Sequence, residues 1–452
     1  MTPAARRVTS YWCEYAWLGS TGGVTRDVLV DVRDGRITAV APGVAEPPPG
    51  ARRRRGLTLP GMANAHSHAF HRALRGRTHG DRGTFWTWRE RMYAAAARLD
   101  PDSYLDLATA VYAEMALAGF TTVGEFHYLH HAPGGRAYDD PNAMGDALIE
   151  AAGRAGVRLT LLDTCYLTGG FDRPLEGPQL RFGDGDADAW AARVAGLRDG
   201  PHVRVGVAAH SVRAVPKAQL PAVAAVAAGR SAPLHAHLSE QTAENDACLA
   251  AYGTTPARTL ADAGALGPRA TAVHATHLTA DDIALLGGTG TGVCLCPTTE
   301  RDLADGIGPA GELAGAGAPL SLGTDSHAVI DPFEEARGIE LDERLRTRER
   351  GRFTVTELLT AATATGHAAL GWDDAGRIVP GAPADLVTVG LGGPRMAGFD
   401  PATVDAAALF AATATDVTHV VAAGRTIVEE GRHTRLDVPQ ALHQAITTLM
   451  TD

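Results

Sequence analysis

Over residues 1–58 the apolar positions come in short, β-prone runs. Val28-Leu29-Val30-Asp31-Val32 and Arg36-Ile37-Thr38-Ala39-Val40 flank Asp34-Gly35, and two such runs around an Asp-Gly turn predict a hairpin. Between residues 46 and 55 the chain is proline-rich and then arginine-rich, which predicts an exposed connector. From residue 57 the rhythm changes. Eight short apolar runs, at 57–65, 119–125, 157–163, 203–209, 233–238, 270–274, 291–296 and 316–324, alternate with longer alanine- and leucine-rich stretches such as 102–118, 142–155 and 220–228. Those stretches have helix-forming composition. Eight strands alternating with helices predict an α/β chain folded as a (β/α)8 TIM-type barrel over residues 59–375. From about residue 376 the β character returns, at 381–389, 417–421 and 425–428. Residues 1–58 and 376–452 are therefore expected to form one small β-sandwich domain from both chain ends.

Composition narrows the function classes. With 45% hydrophobic and 21% charged residues in a chain of 452, the protein has the make-up of a globular molecule with a sizeable core. A net charge of −11 speaks against a nucleic-acid partner. No apolar run approaches the ~20 residues that span a bilayer. Residues 1–10 hold no apolar signal core, so the expected location is the cytoplasm, with no membrane association. The five cysteines, Cys13, Cys165, Cys248, Cys294 and Cys296, are odd in number and widely spaced, which argues against a disulfide framework. Cys294-x-Cys296 has no second pair to complete a thiolate site and reads as two small buried residues.

Polar residues gather at the ends of the apolar runs. Run one ends in His66 and His68, and run two leads to Glu125, His127 and Tyr128. Run four ends in His210, run five carries His235, His237 and Glu240, run six ends in His274, and run eight leads to Asp325. In a barrel of this kind the active site lies at the C-terminal ends of the strands, so residues far apart in sequence meet at one mouth. Residues i and i+2 of an extended segment point the same way; His66 and His68 can thus offer two imidazoles to one ion. With His237 and Asp325 they make a three-histidine, one-carboxylate set that suits zinc or a similar divalent metal. Singly, Asp325 reads as a helix N-cap and His237 as a core histidine; joint placement at strand ends favours the metal. Glu240, three residues after His237, is placed to take a proton from water and return it to a leaving nitrogen. His274 is placed to steady developing negative charge, whereas His277, past the strand, reads as structural. The single lysine, Lys217, follows the run-four strand end and is poorly placed to bridge two metals as a carbamate, so one ion per subunit is expected.

In order along the chain, His66-x-His68, His237-x-x-Glu240, His274 and Asp325 resemble the amidohydrolase superfamily in its mononuclear deaminase branch. The resemblance covers essentially the whole chain, including Pro380-Gly381-Ala382-Pro383-Ala384-Asp385. More narrowly, residues 62–70, 85–90, 124–130, 210–215 and 235–241 are similar to the formimidoylglutamate deiminases of histidine degradation. That resemblance implies zinc-dependent hydrolytic deimination of N-formimidoyl-L-glutamate to N-formyl-L-glutamate and ammonia, with Glu240, His274 and Asp325 catalytic and a homodimer as the assembly. It places the family's substrate residues on Arg89, Tyr128, His210 and Arg213, and arginine forks with hydroxyl donors suit a small dicarboxylate substrate. The chain departs from the family at His71, where glutamine is expected; a histidine donates and accepts only in a chosen tautomer. Two other readings stand beside this one. An aminohydrolase or chlorohydrolase acting on a purine, pterin or triazine ring would want aromatic walls instead of an arginine pair. An inactive barrel kept for assembly would be marked by a missing ligand or proton shuttle.

Overall fold

A computed structural model describes residues 8–19, 21–79, 83 and 85–451. Residues 1–7, on which most of the signal-segment reading rests, lie outside the described residues, as do the side chains of Phe85 and Trp86. Strands β1 (Thr9–Trp17), β2 (Val24–Arg33), β3 (Arg36–Ala41) and β4 (Arg52–Pro60) come first. The barrel strands follow: β5 (Met62–Ser67), β6 (Phe120–His127), β7 (Arg158–Cys165), β8 (Val203–Ala209), β9 (Leu234–Leu238), β10 (Ala270–His274), β11 (Gly292–Leu295) and β12 (Leu320–Leu322). The tail adds β13 (Leu386–Val389), β14 (Val417–Ala422), β15 (Arg425–Glu429) and β16 (Arg432–His433). β5 to β12 pair in sequence order, all in parallel. A bridge between Ser67 and Asp325 brings the end of the series back to its start, which makes the expected barrel. β6 and β7 are buried at every position, as parallel strands covered on both faces are, and neither shows the strict apolar–polar alternation of a half-exposed strand.

Two helices lie between β5 and β6: α1 (Phe85–Arg98), which carries Arg89 to the mouth, and α2 (Pro101–Ala118). α2 starts where Asp100 accepts the Ser103 N–H, with Pro101 in the first turn, and stops at Gly119, whose φ is 106°; these are the usual start and stop chemistries of a helix. Among the described residues no helix is long and apolar enough to cross a membrane.

The first apolar run is two strands. Residues 57–60 finish β4 in the terminal sheet and residues 62–67 are β5 of the barrel, with Gly61 at the elbow. A Cβ at Gly61 would lie 2.2 Å from Thr121 Oγ1 and 2.6 Å from Asp385 Cβ, so only glycine lets the chain pass from one sheet to the other. The expected connector also stops early, because residues 52–55 open β4 and pair in parallel with β1. Arg54 is buried with its guanidinium 5.2 Å from the Tyr11 ring centre. Arginine stems cover apolar surface and stack on rings, which a charge run in the sequence does not reveal.

The terminal sheet runs β16-β15-β14-β13-β4-β1-β2-β3. Its hydrogen bonding is continuous, so the expected sandwich is one sheet curled about an apolar cluster that includes Tyr11, Val28, Val30, Leu386 and Val421. The tail is not purely β; helices Val404–Ala411 and Val438–Met450 interrupt it, and Leu442, Ile446 and Met450 pack on the main core. Asp385 joins the two sheets. Its carboxylate pairs with buried Arg158 and accepts the Ala423 N–H at 2.8 Å, while its carbonyl accepts the Gly61 N–H at 2.9 Å. Removing either partner of that ion pair would leave a buried charge uncompensated.

Candidate active site

Alternation along β5 and the residue after it sends His66 and His68 to the same side of the barrel mouth. Their Nε2 atoms lie 3.2 and 3.3 Å from Asp325 Oδ1, and His237 Nε2, from β9, lies 3.1 Å from His66 Nε2. All four side chains are buried. His68 Nδ1 donates to the Phe126 carbonyl and His237 Nδ1 to the His210 carbonyl, each at 3.0 Å. A neutral imidazole whose Nδ1 carries the proton presents Nε2 as a lone pair. Burial pushes His66 down to about 3 and His237 well below the ordinary imidazole value, which favours the neutral, ligating form. Against burial, the imidazoles of His66 and His68 beside it hold Asp325 well below the usual carboxylate range. Lone pairs and a carboxylate oxygen thus converge on one point. Four donors on a tetrahedral ion with bonds near 2.1 Å would sit ~3.4 Å apart, so the donor set fits a divalent metal.

The backbone at the mouth is bent to aim these groups. Ser239, His274, Ala275, Asp325 and His327 all take left-handed φ, between 40 and 67°, a conformation costing on the order of 1–3 kcal/mol for a residue with a side chain and concentrated at functional sites. A Cβ at Gly323 would lie 2.7 Å from that of His66, so glycine is what lets the Asp325 loop close on β5. Side chains then lock the loops together. Asn64 Nδ2 donates to Thr324 Oγ1 at 2.6 Å and Asn64 Oδ1 accepts the Thr324 N–H at 3.0 Å. Glu125 accepts from Ser67 Oγ at 2.8 Å and from the Ala69 N–H at 2.7 Å; burial lifts its carboxyl to about 7 against those bonds.

Beside the cluster, Glu240 Oε1 lies 4.0 Å from His274 Nε2, and Asp325 Oδ2 lies 3.9 Å from the same nitrogen. The other face of His274 is anchored, with Nδ1 donating to Glu300 Oε1 at 3.3 Å, and Glu300 in turn accepting the Cys296 N–H at 2.8 Å. Burial opposes charge on His274, but Glu240, Glu300 and Asp325 hold it well above the ordinary imidazole range.

The structure brings every expected substrate residue to this place. His71, Arg89, Tyr128, His210 and Arg213 line one cavity together with His68, His237, Glu240, His274 and Asp325. His71 Nε2 pairs with Tyr128 Oη at 2.9 Å, and burial drives its pKa well below the ordinary value. Lys217 does not line the cavity; it is partly exposed and lies 3.8 Å from Asp262. His127 belongs to a separate buried cluster with His130 and Asp163, whose carboxylate is taken by Arg193 at 2.8 and 2.9 Å. Trp88, Met92, Tyr93, Tyr166, Phe182 and Leu303 also line the cavity and were given no role from sequence, so the wall is aromatic as well as cationic; Gln179 lies behind Tyr93 and Tyr166, and Glu300 behind His274. Tyr93 had a signal, since it lies four residues after Arg89 on one helix face. Gln179 and Glu300 sit in short helical turns with nothing in the local pattern to mark them.

A barrel with imidazoles and an aspartate at its strand ends, backed by a sheet drawn from both chain termini, is the architecture of an amidohydrolase. The chain belongs to the amidohydrolase family, whose sequence profile matches residues 57–427; it is a hydrolase of that family. A formimidoylglutamate deiminase of Pseudomonas aeruginosa is 37% identical over 427 residues, covering 91% of this chain and 93% of that protein. A crystal structure of an amidohydrolase from Brucella melitensis matches with a TM-score of 0.90 at 32% identity, over 98% of this chain and 100% of the other. An adenosine deaminase from Xanthomonas campestris, solved with bound zinc, matches with a TM-score of 0.84 at 26% identity, over 97% and 96% of the two chains.

Proposed function

We propose that the protein is a zinc-dependent deiminase that hydrolyses N-formimidoyl-L-glutamate to N-formyl-L-glutamate and ammonia. The observation that carries this reading is the presence of Arg89 and Arg213 in one cavity with His68, His237 and Asp325 of the four-ligand cluster, Glu240 and His274. A dicarboxylate brings two negative charges out of water and needs fixed cationic forks to receive them; a neutral heteroaromatic ring does not. The relative named as a formimidoylglutamate deiminase supports the same choice.

Zinc held by His66, His68, His237 and Asp325 would supply Lewis-acid polarisation and ease the deprotonation of water. Glu240 takes a proton from the water whose oxygen bonds to the formimidoyl carbon, and returns a proton to the nitrogen that departs. His274, oriented by Glu300, donates to the negative charge that develops as that carbon becomes tetrahedral. Arg89, Arg213 and Tyr128 hold the glutamate portion so that the carbon stays over the cluster. One water is consumed, one C–N bond breaks, and one ammonia leaves. A homodimer in solution, measurable by light scattering, belongs to the same reading.

The test is ammonia release across a panel of N-formimidoyl-L-glutamate, adenosine and guanine, with and without chelator. Release from N-formimidoyl-L-glutamate alone, abolished by chelator and restored by zinc, is the expected result. Release from adenosine or guanine with none from the amidine overturns the assignment.

A further inference from the structure

Two phenols in the cavity wall have a hydrogen-bond count that points at a ligand. Tyr93, on α1, and Tyr166, just past β7, both line the cavity. Tyr93 Oη accepts Arg89 Nε–H at 2.6 Å and Gln179 Nε2–H at 2.9 Å. The same Gln179 nitrogen lies 3.4 Å from Tyr166 Oη. The amide cannot be read the other way round, because Gln179 Oε1 accepts the Glu176 N–H at 3.3 Å. Its two N–H groups therefore face the two phenols, and both phenol oxygens act as acceptors.

A phenol carries one proton as well as its acceptor lone pairs. At Tyr93 the acceptor positions are filled by a guanidinium and an amide, and among the described residues neither phenol donates to a protein group. Each phenol therefore keeps a proton uncommitted to the protein, on a residue that lines the cavity. Accepting from a cation also polarises the O–H and strengthens it as a donor. The arrangement is held rigidly. The Arg89 guanidinium lies 5.2 Å from the Tyr93 ring centre. Arg181, two residues after Gln179 and buried, donates to the carbonyls of Ala96 and Leu99 at the C-terminal end of α1. The short helix Gly177–Arg181 thus secures both the phenol pair and the helix that carries Arg89.

We propose that Tyr93 and Tyr166, set by Gln179, form with Arg89 a donor-rich subsite for one carboxylate of the substrate. The proposal deepens the deiminase reading and rests on it. A carboxylate supplies acceptors on both oxygens and meets those donors. A carboxamide in the same place would turn an N–H toward O–H and N–H groups, so the subsite discriminates by repulsion as well as attraction.

The test uses zinc-loaded protein and ammonia release from three substrates: N-formimidoyl-L-glutamate and its two monoamides, N-formimidoyl-L-glutamine and N-formimidoyl-L-isoglutamine. Tyr93→Phe keeps the ring and removes the hydroxyl. It is expected to raise KM for the dicarboxylate about 10- to 100-fold, the range of one hydrogen bond to a charged group, with kcat within a few-fold of wild type. Tyr166→Phe acts in the same direction and more weakly. Gln179→Glu turns the amide donor into an acceptor that draws the phenol protons away from the cavity, and so reproduces the Tyr93→Phe effect from a second position. With the monoamide that lacks the carboxylate bound here, the Tyr93→Phe penalty falls to within about twofold; a purely structural defect would penalise all three substrates alike. Wild-type KM in both Tyr93→Phe and Gln179→Glu, or an equal penalty on all three substrates, overturns the subsite. Failure of the wild-type protein to act on N-formimidoyl-L-glutamate overturns the deiminase reading instead, so the two failures are distinct.

Discussion

The floor of the cavity and its wall are held in different ways. On the floor, His66, His68, His237, His274 and Asp325 sit at or just past the ends of barrel strands. Backbone carbonyls fix the tautomers of His68 and His237, left-handed φ turns His274 and Asp325 inward, and of these groups His274 is also anchored by a side chain, Glu300. In the wall, Arg89 and Tyr93 ride on α1 and are held by another side chain, Gln179. Groups fixed by backbone cannot be re-aimed without remaking the barrel. Groups fixed by side chains change with one substitution. Under the proposed function, the division sets the reaction at the barrel's strand ends and selectivity in the side-chain-held wall, in line with one fold supporting many chemistries.

Substitutions that separate rate from affinity test this division directly. The largest effect is expected on the floor. Glu240→Gln should lower kcat by about 10²- to 10⁴-fold, the usual worth of a positioned acid–base group, with zinc content unchanged by elemental analysis. Near wild-type turnover would remove Glu240 from the proton path. In the wall, Arg213→Lys keeps the charge and loses the fork. KM should rise about 10- to 100-fold while kcat stays within a few-fold; a fall in kcat with unchanged KM would dissolve the distinction between the two regions. The smallest effect is expected behind the floor. Asn64→Ala removes both bonds to Thr324 and should lower stability to denaturant by about 1–3 kcal/mol, with loss confined to the midpoint and no change in the denaturant slope. A wild-type midpoint would show that the Asn64–Thr324 lock is dispensable.

Much of the floor was legible in the sequence. Strands buried on both faces read as short runs rich in apolar and small residues, and the imidazoles and carboxylate at or past their ends stand out against that background, as His66, His237, His274 and Asp325 do. The wall was legible only in part. Arg89 and Arg213 were marked by resemblance, but the role of Tyr93 depends on counting who donates to its oxygen, and that count needs coordinates. Gln179 and Glu300 act through other side chains from turns without periodicity. Two errors came from reading runs by composition. The apolar stretch at 57–65 looked like one strand because both sheets demand apolar residues there, and only the crowding around Gly61 divides it. Arg54 of β4 looked like part of a solvated linker because burial of an arginine depends on the ring beneath it, here Tyr11; its neighbours Arg52, Arg53 and Arg55 are exposed. At His71 the sequence marked a departure, and the structure gives it a partner in Tyr128.

The strand that leads into His66 has a neighbour from the far end of the chain: β4 pairs with β13, Leu386 lying against Pro60. On the ribosome β4 is made early and its neighbour almost last. For most of translation, therefore, one edge of β4 stands open, and an open edge is a template for pairing with another molecule. A polypeptide cut short after the barrel would hold its ligand-bearing strands and still lack the brace behind them. Shortening the tail should show itself first as aggregated product in the cell, before any slowing of an enzyme that can be purified.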